Sequence, residues 1–273
     1  MNQQLNNNEY ALITGASRGL GKEFAYEMAL RGFNLLLVSL HNEGLPDLCK
    51  ELSANCAIKV NCFEADLSDH DSLVAIAAWA AKHGRVSVLI NNAGIGGTMA
   101  FDDATLDYLD NIIKLNIRAT CLLTRLMLPE LKKCENAYIL NVSSMVSFSP
   151  VAYKTIYPAS KAFIWAFSKG LAEELKNTRV HVSVVHPGPM RTNADVIRRI
   201  ENQSTLGKMG VLTARRTARI AINRLFSGTR VIVPGYFNKF NWLLSILVPL
   251  SIRLVLVSRM VKRDLGVYIL PVK

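Results

Sequence analysis

No two cysteines in this chain stand in a C-x-x-C spacing, and their total, five, is odd. Cys49, Cys56, Cys62, Cys121 and Cys134 therefore suggest neither a zinc site nor a disulfide framework, and they fit a reducing cytosol. The amino end, MNQQLNNNEY, lacks the basic stretch and apolar run of a secretion signal, so residues 1–8 are expected to form a disordered lead with nothing that directs export. Low-complexity tracts and internal repeats are also missing. Half of the 273 residues are hydrophobic, enough for a sizeable core. Acid is scarce in one region only. From His181 onward 15 Lys and Arg face three acidic residues, a net +12, whereas the first 180 residues carry 17 basic and 18 acidic groups, a net −1. Such asymmetry suits an anionic substrate, an anionic carrier or an acidic membrane surface, or else is a solvated basic face. No nucleic-acid partner is expected, because neither a basic strand interleaved with aromatics nor a recognition-helix motif accompanies the charge.

Short apolar runs alternate with helix-length amphipathic segments, the pattern of a parallel sheet built from βαβ units. Strands are expected at Tyr10–Thr14, Asn34–Ser39, Ile58–Phe63, Ser87–Ile90, Ala137–Val142, Val180–Val185 and Arg230–Val233. Helices are expected at Leu20–Arg31, Leu45–Ser53, Asp71–His83, Leu106–Leu131, Pro158–Lys176 and Ala214–Phe226. The fold class is α/β: a Rossmann-type, doubly wound, seven-stranded parallel sheet with helices on both faces, in a single domain spanning 9–235. Residues 190–211 form a long connection without strong periodicity, read as a substrate lid. Residues 236–273 form an apolar and basic helical extension. Its apolar stretch Phe240–Val257 is nearly long enough for a membrane span, but Pro249 and Arg253 interrupt it, and a central arginine costs about 2.5–3.5 kcal/mol on insertion scales. An interfacial or protein-packed segment is expected instead.

Three motifs carry chemistry. In ALITGASRGLG an apolar strand runs into Gly15, Gly19 and Gly21 and then a helix. Glycine there allows a tight turn and lets backbone N–H groups approach a pyrophosphate at the helix's positive end. The second, Asn91-Asn92-Ala93-Gly94, directly follows the strand VSVLI and supplies a second wall to the same crevice at the carboxyl edge of the sheet. The third is Tyr157-Pro-Ala-Ser-Lys161, whose Tyr and Lys, four residues apart, share one helical face. An unassisted phenol, with a pKa near 10, is a poor acid at neutral pH, and the neighbouring ammonium is expected to favour its ionised form. Ser144, at the end of the strand AYILNVSS, emerges at the same edge and can hydrogen-bond a carbonyl oxygen. Asn116 is a polar residue within an apolar helical stretch.

In order and approximate spacing, TGASRGLG (14–21), Asp66, NNAG (91–94), Asn116, Ser144, YPASK (157–161) and HPGPMRT (186–192) resemble the short-chain dehydrogenase/reductase family, over nearly the whole chain to about residue 235. The resemblance implies an oxidoreductase acting on CH–OH donors. It makes Tyr157 the general acid in reduction, Lys161 the group that lowers its pKa and holds the nicotinamide ribose, Ser144 the group that orients the carbonyl, and Asn116 the support of a water-mediated proton relay. The cofactor contacts it implies are Gly15, Ser17, Arg18, Gly19, Leu20 and Gly21 in the loop, Asp66 and Leu67 at the adenine, Asn92, Ala93 and Gly94 on the adenosine side, and Pro187, Gly188 and Thr192 at the nicotinamide end. No metal is implied.

Relatives that use NAD usually carry an acid at the end of the second strand, where the sequence here reads Val38-Ser39-Leu40-His41. Arg18, with help from Ser39 or His41, is expected to meet a 2′-phosphate, so NADP(H) is preferred and NAD(H) is the alternative. Leu40 stands where many NADP-dependent relatives have a second basic residue. The expected substrate is a lipophilic ketone or the matching alcohol, fatty-acyl or sphingoid. The expected location is cytoplasmic, with peripheral membrane contact through 236–263. The resemblance suggests a homodimer or homotetramer. A non-catalytic dinucleotide-binding sensor or scaffold of the same fold is the competing reading.

Overall fold

The computed structural model describes residues 9–190 and 210–264. The lead 1–8, Thr192 and all but the ends of the 190–211 segment lie outside the described residues. The strands are β1 (Glu9–Thr14), β2 (Asn34–Ser39), β3 (Val60–Glu64), β4 (Arg85–Asn91), β5 (Ala137–Val142), β6 (Val180–Val185) and β7 (Val231–Ile232). They form one sheet in the order β3-β2-β1-β4-β5-β6-β7, and every pairing is parallel, with Leu12 opposite Leu36 and Leu89 opposite Ile139. Strands covered on both faces have no wet side to alternate toward, which explains why β2, NLLLVS, is buried at all six positions.

Helices α1 (Gly19–Ala29), α2 (Leu45–Asn55) and α7 (Ala214–Phe226) cover one face, where Phe24, Met28, Leu48 and Ile222 pack on Leu35 and Leu37. Helices α3 (His70–His83), α5 (Thr120–Lys132) and α6 (Ile156–Glu174) share the other, where Leu73, Leu123 and Met127 meet Leu36 and Leu89. The expected single helix Leu106–Leu131 is one continuous run, but it is not uniformly wound. Helix α4 (Leu106–Ile112) passes into a π-helical segment, Ile113–Ala119, before α5 begins. That extra residue per turn re-aims Asn116, and such segments tend to occur at functional sites.

The strand order reverses between β1 and β4, so their carboxyl ends, Thr14 and Asn91, open the crevice where α/β sheets of this kind take ligands. Beyond β7 the extension forms two helices, α8 (Tyr236–Leu247) and α9 (Leu250–Asp264), separated at Val248 and Pro249. Among the described residues no helix is long and apolar enough to cross a membrane.

Candidate active site

The two walls of the crevice are fastened to each other. Thr14 Oγ1 accepts the N–H groups of Asn92 at 3.0 Å and Ala93 at 3.1 Å. Asn92 Nδ2 returns hydrogen bonds to the carbonyls of Thr14 at 2.9 Å and Gly15 at 3.1 Å. The glycine turn closes on itself so tightly that a Cβ on Gly21 would sit 2.0 Å from the Gly15 carbonyl oxygen. Gly15 and Gly19 both have positive φ, which glycine adopts without strain. The amino end of α1 carries no side-chain cap and no acid in its first turn. Its free N–H groups and partial positive charge fit a pyrophosphate, as the resemblance implies for Gly15 to Gly21.

One residue that sequence reasoning missed changes the expected 2′-phosphate subsite. Glu43, in the turn after β2, accepts a hydrogen bond from Ser17 Oγ at 2.8 Å and forms a 2.9 Å ion pair with Arg18. The absence of an acid at the end of β2 stands, yet a carboxylate reaches the same arginine from four residues further on. Arg18 is not the free cation the sequence suggested. Ser39 is buried and donates to the Leu40 carbonyl, while the exposed His41 lies 3.9 Å from Glu64. Asp66 is exposed and caps its own turn by accepting from Ser68 N–H at 2.8 Å, with Leu67 buried beside it.

Deeper in the crevice, Ser144 and Tyr157 come together, and Lys161 stands one turn further along α6. Ser144 leaves β5 and hydrogen-bonds the Tyr157 side chain. Lys161 is wholly buried and donates from Nζ to the Val142 carbonyl at 2.9 Å. Asn116 Oδ1 accepts the Ile95 N–H, and its Nδ2 donates both to the Ile95 carbonyl and to Ser160 Oγ, each at 2.9 Å. Ser160 in turn donates to the Tyr157 carbonyl at 2.7 Å, so the π-helical turn braces the start of α6. A Cβ on Gly94 would lie 3.2 Å from Lys161 Nζ, and one on Gly96 would lie 2.8 Å from the Tyr157 ring. A side chain at 96 would force the ring to shift, whereas one at 94 would crowd Asn116 Oδ1 and Lys161 Nζ.

The expected lowering of the phenol's pKa by the ammonium is corrected here. Burial pushes Tyr157 above its ordinary value, opposed only by the Ser144 hydrogen bond. Burial also pulls Lys161 down to about 8. The same desolvation thus favours the neutral form of both groups. His186 is buried as well, held at about 4 by burial, and its Nδ1 lies 3.0 Å from Ser147 Oγ and 3.2 Å from the Ser144 carbonyl. Neutral at physiological pH, it supports the short helical turn that carries Ser144.

Above Ser144 and Tyr157 lies a cavity of about 790 Å³ with a largely apolar wall. Met145, Val151 and Met190 line one side, and Leu244, Val248 and Leu256 of the extension line the other. Pro187 and Gly188 stand at its inner end, where Gly188 packs against Asn238 of α8. Asn238 is buried and donates to the carbonyls of Gly210 and Pro234, pinning α8 over the crevice. Arg253 seals the junction of the two tail helices by donating to the carbonyls of Val248 and Phe148.

A parallel sheet with an uncapped glycine turn at its switch point defines a dinucleotide-binding class of α/β protein. The short chain dehydrogenase model matches residues 9–202, and the chain belongs to that family. It is 32% identical over 269 residues to very-long-chain 3-oxoacyl-CoA reductase-A of Danio rerio, covering 96% of this chain and 81% of that one. Against reductase-B of the same fish the match is also 32%, over 70% of this chain, and spans 62% of that protein's length. Among solved structures, a short-chain dehydrogenase from Sphingobium yanoikuyae in complex with NADPH is 29% identical with a TM-score of 0.76, covering 86% of this chain and 91% of that one.

The depressed pKa of Lys161 has a consequence for stability. Below pH 8 the folded chain bears the cost of a buried ammonium; above it the folded state releases a proton that the unfolded chain keeps up to about 10.4, so stability rises with pH across that window. Urea unfolding at pH 7.5 and 10 is expected to show the native chain gaining on Lys161→Met by about 2 kcal/mol. An unchanged difference between the two would mean that the ammonium is solvated.

Proposed function

We propose that this chain uses NADPH to reduce the ketone of a lipophilic, fatty-acyl-type substrate to a secondary alcohol. The observation that carries the proposal is the hydrogen-bonded Ser144 and Tyr157 at the floor of a large apolar cavity, with Lys161 one turn away on α6. Similarity to very-long-chain 3-oxoacyl-CoA reductases and to an NADPH-bound dehydrogenase supports the substrate class and the cofactor.

The chemistry that a nicotinamide would supply when bound is hydride for the carbonyl carbon. The Ser144 hydroxyl orients the carbonyl oxygen, and Tyr157 donates its proton there as charge develops. A phenol kept neutral by burial still holds the proton that reduction requires. The phenolate left behind is stabilised by the Lys161 ammonium, and Asn116, set by the π-helical turn, supports proton return. Gly15, Gly19 and Gly21 would hold the pyrophosphate, Asn92 would line the adenosine side, and Arg18, now paired with Glu43, would meet the 2′-phosphate.

The outward side of the extension is apolar: Phe240 is 61% exposed and Leu247 72%, and Ile246, Leu250 and Ile252 are exposed as well. Together with Arg259 this suits peripheral contact with an anionic bilayer, with the cavity mouth facing the lipid.

Tyr157→Phe is expected to lower kcat for NADPH-dependent ketone reduction by about 10²–10⁴-fold, as measured from NADPH absorbance. Persistent turnover would remove Tyr157 as the acid, whereas no turnover by the native chain on any long-chain ketone would favour a sensor or scaffold. Glu43→Gln releases Arg18 and removes a charge that repels the 2′-phosphate. Fluorescence titration is expected to find NADPH bound about two- to fivefold more tightly, and equal or weaker binding would contradict the subsite. The triple variant Phe240→Ser, Leu247→Ser, Leu250→Ser should lose flotation with anionic vesicles. If flotation is unchanged while light scattering reports a smaller assembly, that face joins copies of the chain instead.

A further inference from the structure

A second cavity, of about 710 Å³, lies outside the catalytic crevice and runs along α7, from Thr213 to Arg224, beside the end of β7 and the start of α8. Five cations line it, Arg215, Arg216, Arg219, Arg224 and Lys239, and no acid does among the described residues. Arg219 is partly committed to the buried carboxylate of Glu27 at 3.2 Å, which Arg31 also holds at 2.7 Å. Arg215, Arg216, Arg224 and Lys239 form no ion pair with any described residue. Arg215 and Arg216 stand four and three residues before Arg219, a spacing that places like charges side by side on one helical face, where they repel. A bound polyanion would relieve that repulsion, and guanidinium forks match phosphate oxygens.

Position says which polyanion. The helix α7 runs back against parallel strands, so it starts at the carboxyl edge of the sheet, the edge that also holds the crevice. One helix joins the two cavities. Tyr236 and Lys239 of α8 line the basic one, and Asn241, Leu244 and Ser245 line the catalytic one. Lys239 and Leu244 are about 8 Å apart along the axis. The catalytic cavity is lined mainly by apolar groups and carries two cations, Lys154 and Arg253, the latter held by two backbone carbonyls, against five cations around the basic cleft.

We infer that this basic cleft binds the phosphates of a nucleotide carrier whose flexible arm passes over α8 and delivers the carbonyl chain to Ser144 and Tyr157. That the carrier brings the reductase's substrate rests on the proposed function; that the cleft binds its phosphates does not.

The test is calorimetric titration of the full-length chain with coenzyme A under saturating NADP⁺, so that the dinucleotide crevice is filled. Arg215→Gln, Arg216→Gln, Lys239→Gln together should raise the Kd at least tenfold, and the exposed single change Arg215→Gln about threefold, with thermal melts confirming that both fold. The KM for a 3-oxoacyl-CoA should rise by a similar factor, while that for the same chain as a phosphate-free N-acetylcysteamine thioester should move less than twofold. Binding of coenzyme A unchanged in both variants would overturn the inference. So would displacement of coenzyme A by an equal concentration of inorganic phosphate, or loss of anionic-vesicle flotation with coenzyme A binding intact. Loss of coenzyme A binding in the variants, with no reductase turnover by the native chain, would keep the cleft and refute the reductase reading.

Discussion

A primary ammonium with no carboxylate at hand is the constraint around which the centre of this molecule is arranged. Lys161 is buried, and among the described residues its one hydrogen-bond partner is the Val142 carbonyl at the end of β5. Charge in such a place is tolerated only where dipoles are aimed at it. β5 must therefore end where it does, α6 must present Lys161 to that end, and the glycine at 94 leaves room beside Asn116 Oδ1 and Lys161 Nζ. Asn116 braces the same region through Ile95 and Ser160, which gives the π-helical turn a physical role. Under the proposed function, what the arrangement gives up in stability it would return as a cation one helical turn from the phenol that gives up its proton.

The sheet was legible in the sequence because parallel strands buried on both faces read as unbroken apolar runs; β2, β5 and β6 have the bounds those runs predict. Strand β3 begins two residues later than expected, and β7 keeps only its central pair. The Tyr157–Lys161 pair, Ser144 and the glycine loop were legible because local spacing carries their chemistry. The remaining site residues depend on approach between distant segments. Glu43 matters only because a turn carries its carboxylate back onto Ser17 and Arg18, and Asn238 only because α8 folds over Gly188. Gly96 left a faint trace in the glycine-rich stretch after NNAG, though nothing in the spacing says that a tyrosine ring lies against it. The expected sign of the Tyr157 shift failed for a related reason: proximity to a cation can be read from a helical repeat, and depth of burial cannot.

Charge and apolar surface in the final third become intelligible once they are located in space. The basic residues of α7 gather around one cleft, whereas the apolar residues of α8 and α9 divide between a wall of the catalytic cavity and an outward face. Pro249 and Arg253, which interrupt the apolar stretch in the sequence, mark the break between the two helices and the bond that ties the break to Phe148. The extension closes over the crevice instead of trailing from it.

The claim on which this account depends is that hydride passes from the nicotinamide ring to a carbonyl carbon above Ser144 and Tyr157. Reduction of a long-chain 3-oxoacyl thioester with NADPH deuterated at both C4 positions tests it most directly. Mass spectrometry of the isolated alcohol should find one deuterium, on the carbinol carbon. A product without that deuterium, or consumption of NADPH with no alcohol formed, would contradict it.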